Sequence, residues 1–414
     1  MTDAPAGSPP LADRRVVYLA VLVAALGYFV DIYDLILFSI VRVRSLEALG
    51  VPASEHVRVG VSLLSWQMAG MLLGGIIWGV LGDIRGRLSV LFGSILLYSL
   101  ANLANAAVTS VPAYAWLRFI AGLGLAGELG AGVTLVSELM RRETRGLGTT
   151  IIASVGIFGA VAGALVAERF DWRMAYVVGG VLGLLLLVLR VSVRESPMFQ
   201  TARAGSARRG NFFALFLPFK RGVRYLAVVL VAVPIWYVVG ILVTFSPEFA
   251  REMGLSFAPS AGRAVLWTYA GLVLGDLSSG LLSQWLKSRR KAIAIFLGFT
   301  LLACVAYYAR VVDSLAGFYA LCAALGFGSG YWAVFITTAA EQFGTNLRAT
   351  AATTAPNFVR GAVVPMTLAF EHFGHRLGLV GGGIVVGVIV LGLAVLSLAG
   401  LSETFGKDLD YLES

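Results

Sequence analysis

Charge is scarce in this chain: of its 414 residues only 13% are Asp, Glu, Lys or Arg, where a soluble protein carries about 25%. So little charge cannot cover a water-exposed surface, which excludes a soluble globular domain. Cysteine and histidine are scarce as well. The two cysteines, Cys304 and Cys322, both lie in apolar stretches, and three histidines, His56, His372 and His375, fall in or beside loops. A disulfide framework or a cysteine metal site needs more ligands than this, so the cysteines read as small buried hydrophobic residues. No phosphate-binding loop, metal-ligand cluster or nucleophile triad is present, and no enzyme activity, metal or cofactor is expected. What the chain has instead is 58% hydrophobic residues and a mean hydropathy of +0.85. The formal charge of +9 suits nucleic acid in a soluble protein. In a membrane chain it reads first as loop-orienting charge, and no nucleic-acid partner is expected.

Windows of about 20 apolar residues predict twelve helical spans. Six lie near 16–40, 59–82, 88–108, 112–140, 147–167 and 174–192. Six more lie near 224–248, 263–286, 291–310, 314–340, 349–371 and 376–400. The expected organisation is an all-α integral membrane protein with a tail at 1–15, a six-helix bundle at 16–192, a basic linker at 193–223, a second bundle at 224–400 and a tail at 401–414. With the amino terminus inside, 20 of the 32 Lys and Arg fall in cytoplasmic segments and nine in the opposite loops. That asymmetry predicts a multi-pass inner-membrane protein with both termini and the linker in the cytoplasm.

An internal repeat supports two similar halves. GVLGDIRGR and SELMRRETRG in the first half are answered by SQWLKSRRK and AEQFGTNLRA in the second. Arg87 and Arg290, Glu138 and Glu341, and Arg145 and Arg348 are each 203 residues apart. Parallel six-helix repeats are the expected architecture of a transporter whose bundles rock about a central site.

Six charges are candidates for a place at mid-bilayer depth: Asp31 and Asp34 in helix one, Arg118 and Glu128 in helix four, Asp276 in helix eight and Arg360 in helix eleven. Each costs roughly 2.5–3.5 kcal/mol at mid-bilayer unless paired or facing a water-filled cavity. Asp31 and Asp34, three apart, share one helix face. Close carboxylates raise each other's proton affinity, and a neighbouring Arg118 would set when the proton leaves, so these three are the proton-coupling candidates, against the bland reading of a structural ion pair. Arg360 could pair bidentately with a substrate carboxylate, or with Asp276. Glu128, among closely spaced glycines, could contact a cationic group, titrate, or pair with an arginine. Asn357, Tyr33, Trp236, Tyr237, Tyr331 and Trp332 complete the candidate substrate contacts, with Trp66 a further aromatic; each is as readily a packing residue.

GVLGDIRGRLSVL resembles the loop motif between helices two and three of the major facilitator superfamily. GYFVDIYDL, RFIAGLGLAGELGAG, ETRG, DWR and RESPMF resemble its metabolite:proton symporters. The resemblance covers essentially the whole chain. It implies a proton-coupled symporter of a small organic anion or zwitterion, in which Asp34 exchanges protons beside Arg118. It also implies a cytoplasmic gate of Asp83, Arg87, Glu138 and Arg145, echoed by Arg290, Glu341 and Arg348. Sugar porters share Asp34 and Arg118, which keeps a sugar or polyol symporter as an alternative, but VPIWYVVGILVTF lacks their helix-seven element. A proton-antiport exporter and, remotely, a transporter-fold nutrient sensor are further alternatives. The expected partners are a small solute, protons and the bilayer, with the protein a monomer.

Overall fold

The computed structural model describes residues 14–130, 132, 145–190 and 212–406. Every regular element among them is helical. In lipid each backbone N–H and C=O needs a partner within its own segment, which helices supply. The first half contributes α1 (Arg14–Ala48), α2 (His56–Arg85), α3 (Arg87–Asn105), α4 (Val111–Leu125), α5 (Arg145–Arg169) and α6 (Trp172–Arg190). The second contributes α7 (Phe219–Tyr237), α8 (Ser246–Glu252), α9 (Ala261–Trp285), α10 (Arg289–Tyr308), α11 (Leu315–Ser329), α12 (Trp332–Glu341), α13 (Thr345–Gly361) and α14 (Val363–Gly400). Ten helical stretches among the described residues are long and apolar enough to cross a membrane. One of them, Thr350–Gly400, is 51 residues long. It is broken at Gly378, whose φ of 77° only glycine adopts without strain. The restarting helix is capped from α8: the Glu252 carboxylate accepts the N–H groups of Leu379 and Val380, both at 2.9 Å.

In the first half α1 packs on α5, α2 on α4, and α3 on α6; in the second α9 packs on α11 and α7 on α14. Across the halves α9 meets α5, and α13 and α14 meet α2. Glycines let the backbones touch. A Cβ on Gly122 or Gly70 would strike the backbone of the opposing helix, as it would on Gly326 and Gly271 in the second half. The polarity of the whole is inverted relative to a soluble protein. Val188, Leu281, Trp285, Leu302 and Leu396 are exposed, while Asp31, Asp34, Arg118, Glu128, Arg190 and Arg360 are buried.

Several boundaries differ from the sequence expectation. α1 runs eight residues past 40. The seventh span is interrupted: Pro234 removes a helical donor, and a π-helical turn at Val238–Val243 follows before α8 begins. The tenth span divides at Gly330–Tyr331 into α11 and α12. Gly330 lies so close to Gly275 that a Cβ on it would meet that backbone at 2.5 Å. The fourth span turns at Ala126–Gly127, and its stretch beyond 132 lies outside the described residues. The turns at Gly127 and Gly330 are 203 residues apart, the same offset as the sequence repeat.

Candidate functional site

Six of the buried charges among the described residues form three units along the interior. The first lies within the N-terminal half. Asp34 of α1 is fully buried, and neither carboxylate oxygen has a hydrogen-bond partner among the described residues. Arg118 of α4 donates to Asn102 Oδ1 at 2.7 Å and lies 4.7 Å from the Tyr176 ring centroid, while its Nε and Nη1 have no partner. Arg118 and Asn102 are within electrostatic reach of Asp34, but no ion pair within 4.0 Å joins Asp34 to Arg118. Gly179 of α6 makes the space for Asp34: a Cβ there would collide with its carboxylate and meet Tyr33 Cε1 at 2.9 Å.

The second unit also lies within the N-terminal half. Glu128, just past the turn in helix four, and Arg190, the last residue of α6, form a two-pronged ion pair, with Arg190 Nη1 3.0 Å from Glu128 Oε2 and Nη2 on Oε1. Both are 1% exposed. Gly27 accommodates them, since a Cβ there would strike both side chains. Of the three uses open to Glu128 in the sequence, the arginine pair is the one the geometry contains.

The third unit joins the halves. Arg360 of α13 places Nη2 3.7 Å from Asp31 Oδ2 of α1, both fully buried. The Trp332 ring centroid lies 5.9 Å from the guanidinium, and Tyr28 faces both Arg360 and Trp332. Arg360 therefore looks to Asp31 rather than to Asp276. Asp276 Oδ1 instead accepts the N–H of Ala333 at 3.0 Å and caps α12 where helix ten restarts.

The other candidates divide. Asn357 donates to the Ala126 carbonyl at 3.1 Å, clamping α13 on the turn of helix four. Three tyrosine hydroxyls are taken by backbone carbonyls: Tyr33 by Ala175 at 2.8 Å, Tyr237 by Gly383 at 2.8 Å and Tyr331 by Val231 at 3.0 Å. Trp236 is buried in the C-terminal half. Trp66 packs on Trp116 and Phe119 within the first half. Of the aromatic candidates, only Trp332 stands against Arg360.

Of the gate residues, Glu138 and the side chains of Asp83, Arg87, Arg145 and Arg348 lie outside the described residues. Gly86 between α2 and α3 has φ of 103°, which explains the glycine in the one-residue turn of GDIRGR. In the second half Glu341 pairs with Arg289 at 3.4 Å, not with Arg290, and accepts from Thr404 Oγ1 at 2.7 Å. Arg290 donates instead to the Ala399 carbonyl. Glu403 closes this cluster over the start of α10. Burial opposes its ionisation, but the Ser288 hydroxyl and the N–H groups of Phe405, Arg289 and Thr404 hold its carboxyl down at about 2.

At the opposite end of the bundle an ion pair that the sequence reading missed bridges the halves. Arg42 of α1, fully buried, contacts Glu248 of α8 at 2.7 Å, donates to the Thr244 carbonyl at 3.0 Å and lies 4.5 Å from the Phe245 ring centroid. An exposed pair, Arg263–Glu168 at 2.8 Å, joins the halves nearby. Arg42 stood two residues outside the predicted first span. Arg190 stood inside the predicted sixth span, where its lone charge was the available signal.

Known proteins resemble this chain along most of its length. The sequence profile of the Major Facilitator Superfamily matches residues 17–363. A niacin transporter of Acinetobacter baylyi is 27% identical over 375 residues, covering 80% of this chain and 81% of its own. A gentisate transporter of Corynebacterium glutamicum is 26% identical over 382 residues, covering 87% and 81%. Among solved structures, a D-xylose-proton symporter superposes with a TM-score of 0.73 at 19% identity, covering 95% of this chain and all of its own.

Proposed function

Because the chain belongs to the major facilitator superfamily and is a multi-pass membrane transporter of small solutes, not an enzyme, we propose that it carries an aromatic monocarboxylate together with a proton. Two six-helix bundles, residues 16–192 and 224–400 joined by the linker, alternate access to a site between them. The protein works as a monomer in the inner membrane, its twelve crossings leaving both termini in the cytoplasm, as the basic loops require.

The observation that carries this reading is Arg360: a guanidinium at 1% exposure, where the halves meet, beside the face of Trp332. An arginine there supplies a planar two-donor fork for a carboxylate, and the indole supplies a surface for an aromatic ring. Niacin and gentisate, named for two relatives, are both aromatic monocarboxylates. Asp34, unpaired in a dry environment with Arg118 within reach, supplies the proton exchange. Solute entry acidifies the lumen only if a proton accompanies it. Purified protein in liposomes with a trapped pH dye should therefore acidify when nicotinate or gentisate is added, faster than protein-free vesicles. Nicotinamide and xylose should not drive it, and Asp34→Asn should abolish it. Xylose-driven acidification without any carboxylate response would refute the substrate class. Carboxylate uptake with no proton movement would make the protein a facilitator.

A further inference from the structure

The chain builds tight buried ion pairs where it needs them. Arg190 grips Glu128 with two nitrogens, and Arg42 reaches Glu248 at 2.7 Å while also donating to two backbone carbonyls. Asp31 and Arg360 depart from that practice. Their one contact, 3.7 Å, is beyond hydrogen-bond distance, neither Asp31 oxygen has a partner, and Arg360 Nε and Nη1 have none. A guanidinium has five donors, and a buried pair compensates for lost water only with close geometry and saturated hydrogen bonds. This pair, at 0% and 1% exposure, has neither, and it is the one that spans the two halves at the site proposed for the substrate.

We infer that Asp31 is a stand-in for the substrate carboxylate: it neutralises Arg360 in the unloaded transporter and gives up that place, by taking a proton, when a carboxylate binds. This rests on the proposed carboxylate transport and deepens it. Charge conservation in a dry site sets the ratio. Unloaded, Arg360 and Asp31 sum to zero. Loaded, Arg360 and the substrate carboxylate sum to zero, and Asp31 must be neutral. The proton comes from the water on the side to which the site is open and leaves with the substrate on the other. A carboxylate bound without it would leave one uncompensated negative charge at bilayer depth, a penalty of about a hundredfold in affinity. One proton per carboxylate follows from this charge balance, and Asp34, about one helical turn along α1 and within electrostatic reach of Asp31, passes on that same proton rather than adding a second.

The groups surrounding Asp31 allow this assignment. Tyr28 and Asp34 lie on its own helix. Tyr98 comes from α3, Glu128 from the segment after α4, and Arg190 from α6, while Arg118 of α4 faces Asp34. From the second half come Arg360 on α13 and, behind Tyr28, Tyr269 and Asp276 on α9. Glu128 and Arg190 neutralise each other, and Asp276 is committed to the α12 cap. Arg360 is left as the cation that Asp31 and a substrate anion would share.

The test is calorimetric titration of nicotinate into the full-length protein in nanodiscs, in two buffers of different ionisation enthalpy. The expected result is about one proton taken up per nicotinate bound, with affinity falling as pH rises from 5.5 to 8. In Asp31→Asn, Arg360 is left without its stand-in. Nicotinate should bind at least as tightly as to wild type at pH 8, with no proton uptake and no pH slope. Exchange of labelled nicotinate across proteoliposomes should persist while proton-driven accumulation is lost. Nicotinate binding to wild type without proton uptake would overturn the exchange and leave carboxylate transport standing, and that measurement needs no variant to fold. An Asp31→Asn protein that keeps the wild-type pH slope would likewise overturn it. Wild type that neither binds nor moves nicotinate or gentisate would remove the substrate reading and this inference together.

Discussion

Replacing Glu248 by Gln should loosen the end of the bundle that Arg42 holds shut. The pair spans the halves, with Arg42 at 0% and Glu248 at 11% side-chain exposure. Removing one partner of a buried pair costs about 3–5 kcal/mol when the other is left uncompensated. Arg42 is not left so: it keeps the Thr244 carbonyl at 3.0 Å, the His56 carbonyl at 3.3 Å and the Phe245 ring at 4.5 Å. Glutamine can also still accept a hydrogen bond. What is lost is the excess of a charged over a neutral hydrogen bond, about 1–2 kcal/mol. At 1.4 kcal/mol per factor of ten, the ratio of open to closed populations at this end should rise about five- to thirtyfold. The exposed pair Arg263–Glu168, at 57% and 41% exposure, contributes about 0–1 kcal/mol, so Arg263→Ala is the internal control. Spin labels at Ser54, in the short 3-10 turn Ala53–Glu55, and at Ser256, in the loop after α8, both exposed at this end, with the buried Cys304 and Cys322 replaced by alanine, read the separation of the halves. Glu248→Gln should transfer weight to the longer distance and Arg263→Ala should barely move it. If the distance distribution is unchanged in Glu248→Gln, or responds more to Arg263→Ala, the buried pair is not what holds this end together.

Three further outcomes follow from the same geometry. Gly179→Ala should place a methyl against the Asp34 carboxylate and cut proton-driven uptake at least tenfold while costing about 1–3 kcal/mol of stability through overpacking; uptake and thermal unfolding read the two effects separately. Glu128→Leu should destabilise by about 3–5 kcal/mol by stranding Arg190, whereas Glu128→Leu with Arg190→Leu should recover to within about 1 kcal/mol of wild type or exceed it, as followed by denaturant unfolding; equal losses in both would mean Glu128 acts through something other than its arginine. Glu403 has its carboxyl held at about 2 against an ordinary 4.5, a depressed value whose stabilisation is complete above the ordinary value and lost as pH falls through the lower one. The melting-temperature gap between wild type and Glu403→Gln should therefore be full above about pH 5 and close as pH falls towards 2; a gap that persists at low pH would mean charge is not its source.

Length and hydropathy made most of the helical architecture legible, because a membrane demands long apolar segments with internally satisfied backbones. The interruptions were harder to read. Pro234 is visible in the sequence, yet its π turn depends on packing, and the break at Gly330 depends on how closely Gly275 approaches it. Asp276 and Asn357 stand out in the sequence as polar residues inside spans and read there as substrate contacts. Their partners, a helix N-terminus and the Ala126 carbonyl, exist only once those breaks form. The same limit applies to the charges: the apolar windows pick out most of those that are buried but not which acid meets which arginine. Asp31 and Asp34 share a helix face, and only the tertiary arrangement sends one towards Arg360 and the other towards Arg118. Arg42 escaped selection because α1 is longer than a single hydrophobic window.

The repeat also separates scaffold from chemistry. The crossings at Gly70 with Gly122 and at Gly271 with Gly326 occur in both halves, as do the turns at Gly127 and Gly330. The buried charges do not. At 203 residues from Asp31, Asp34, Arg118, Glu128 and Arg190 stand Pro234, Tyr237, Leu321, Tyr331 and Leu393, and opposite Arg360 stands Ile157; none of these positions has a charged residue within two places. A duplicated structure whose packing residues are shared and whose buried charges are not has its costliest side chains only where the halves differ. Buried charge is too expensive to persist for packing alone. In the proposed cycle this asymmetry gives the two bundles different tasks, with acids that exchange protons in the first and the arginine that receives the anion in the second. Asp31 and Arg360 join those tasks across the interface that must open and close. Moving Arg360 to the equivalent position in the first half, by Arg360→Ile with Ile157→Arg, would preserve composition and net charge while placing the cation in the same bundle as Asp31. Coupled transport should be lost, and carboxylate-driven acidification of proteoliposomes would show whether it survives. If it does survive, the division of labour between the halves is not what couples proton to solute.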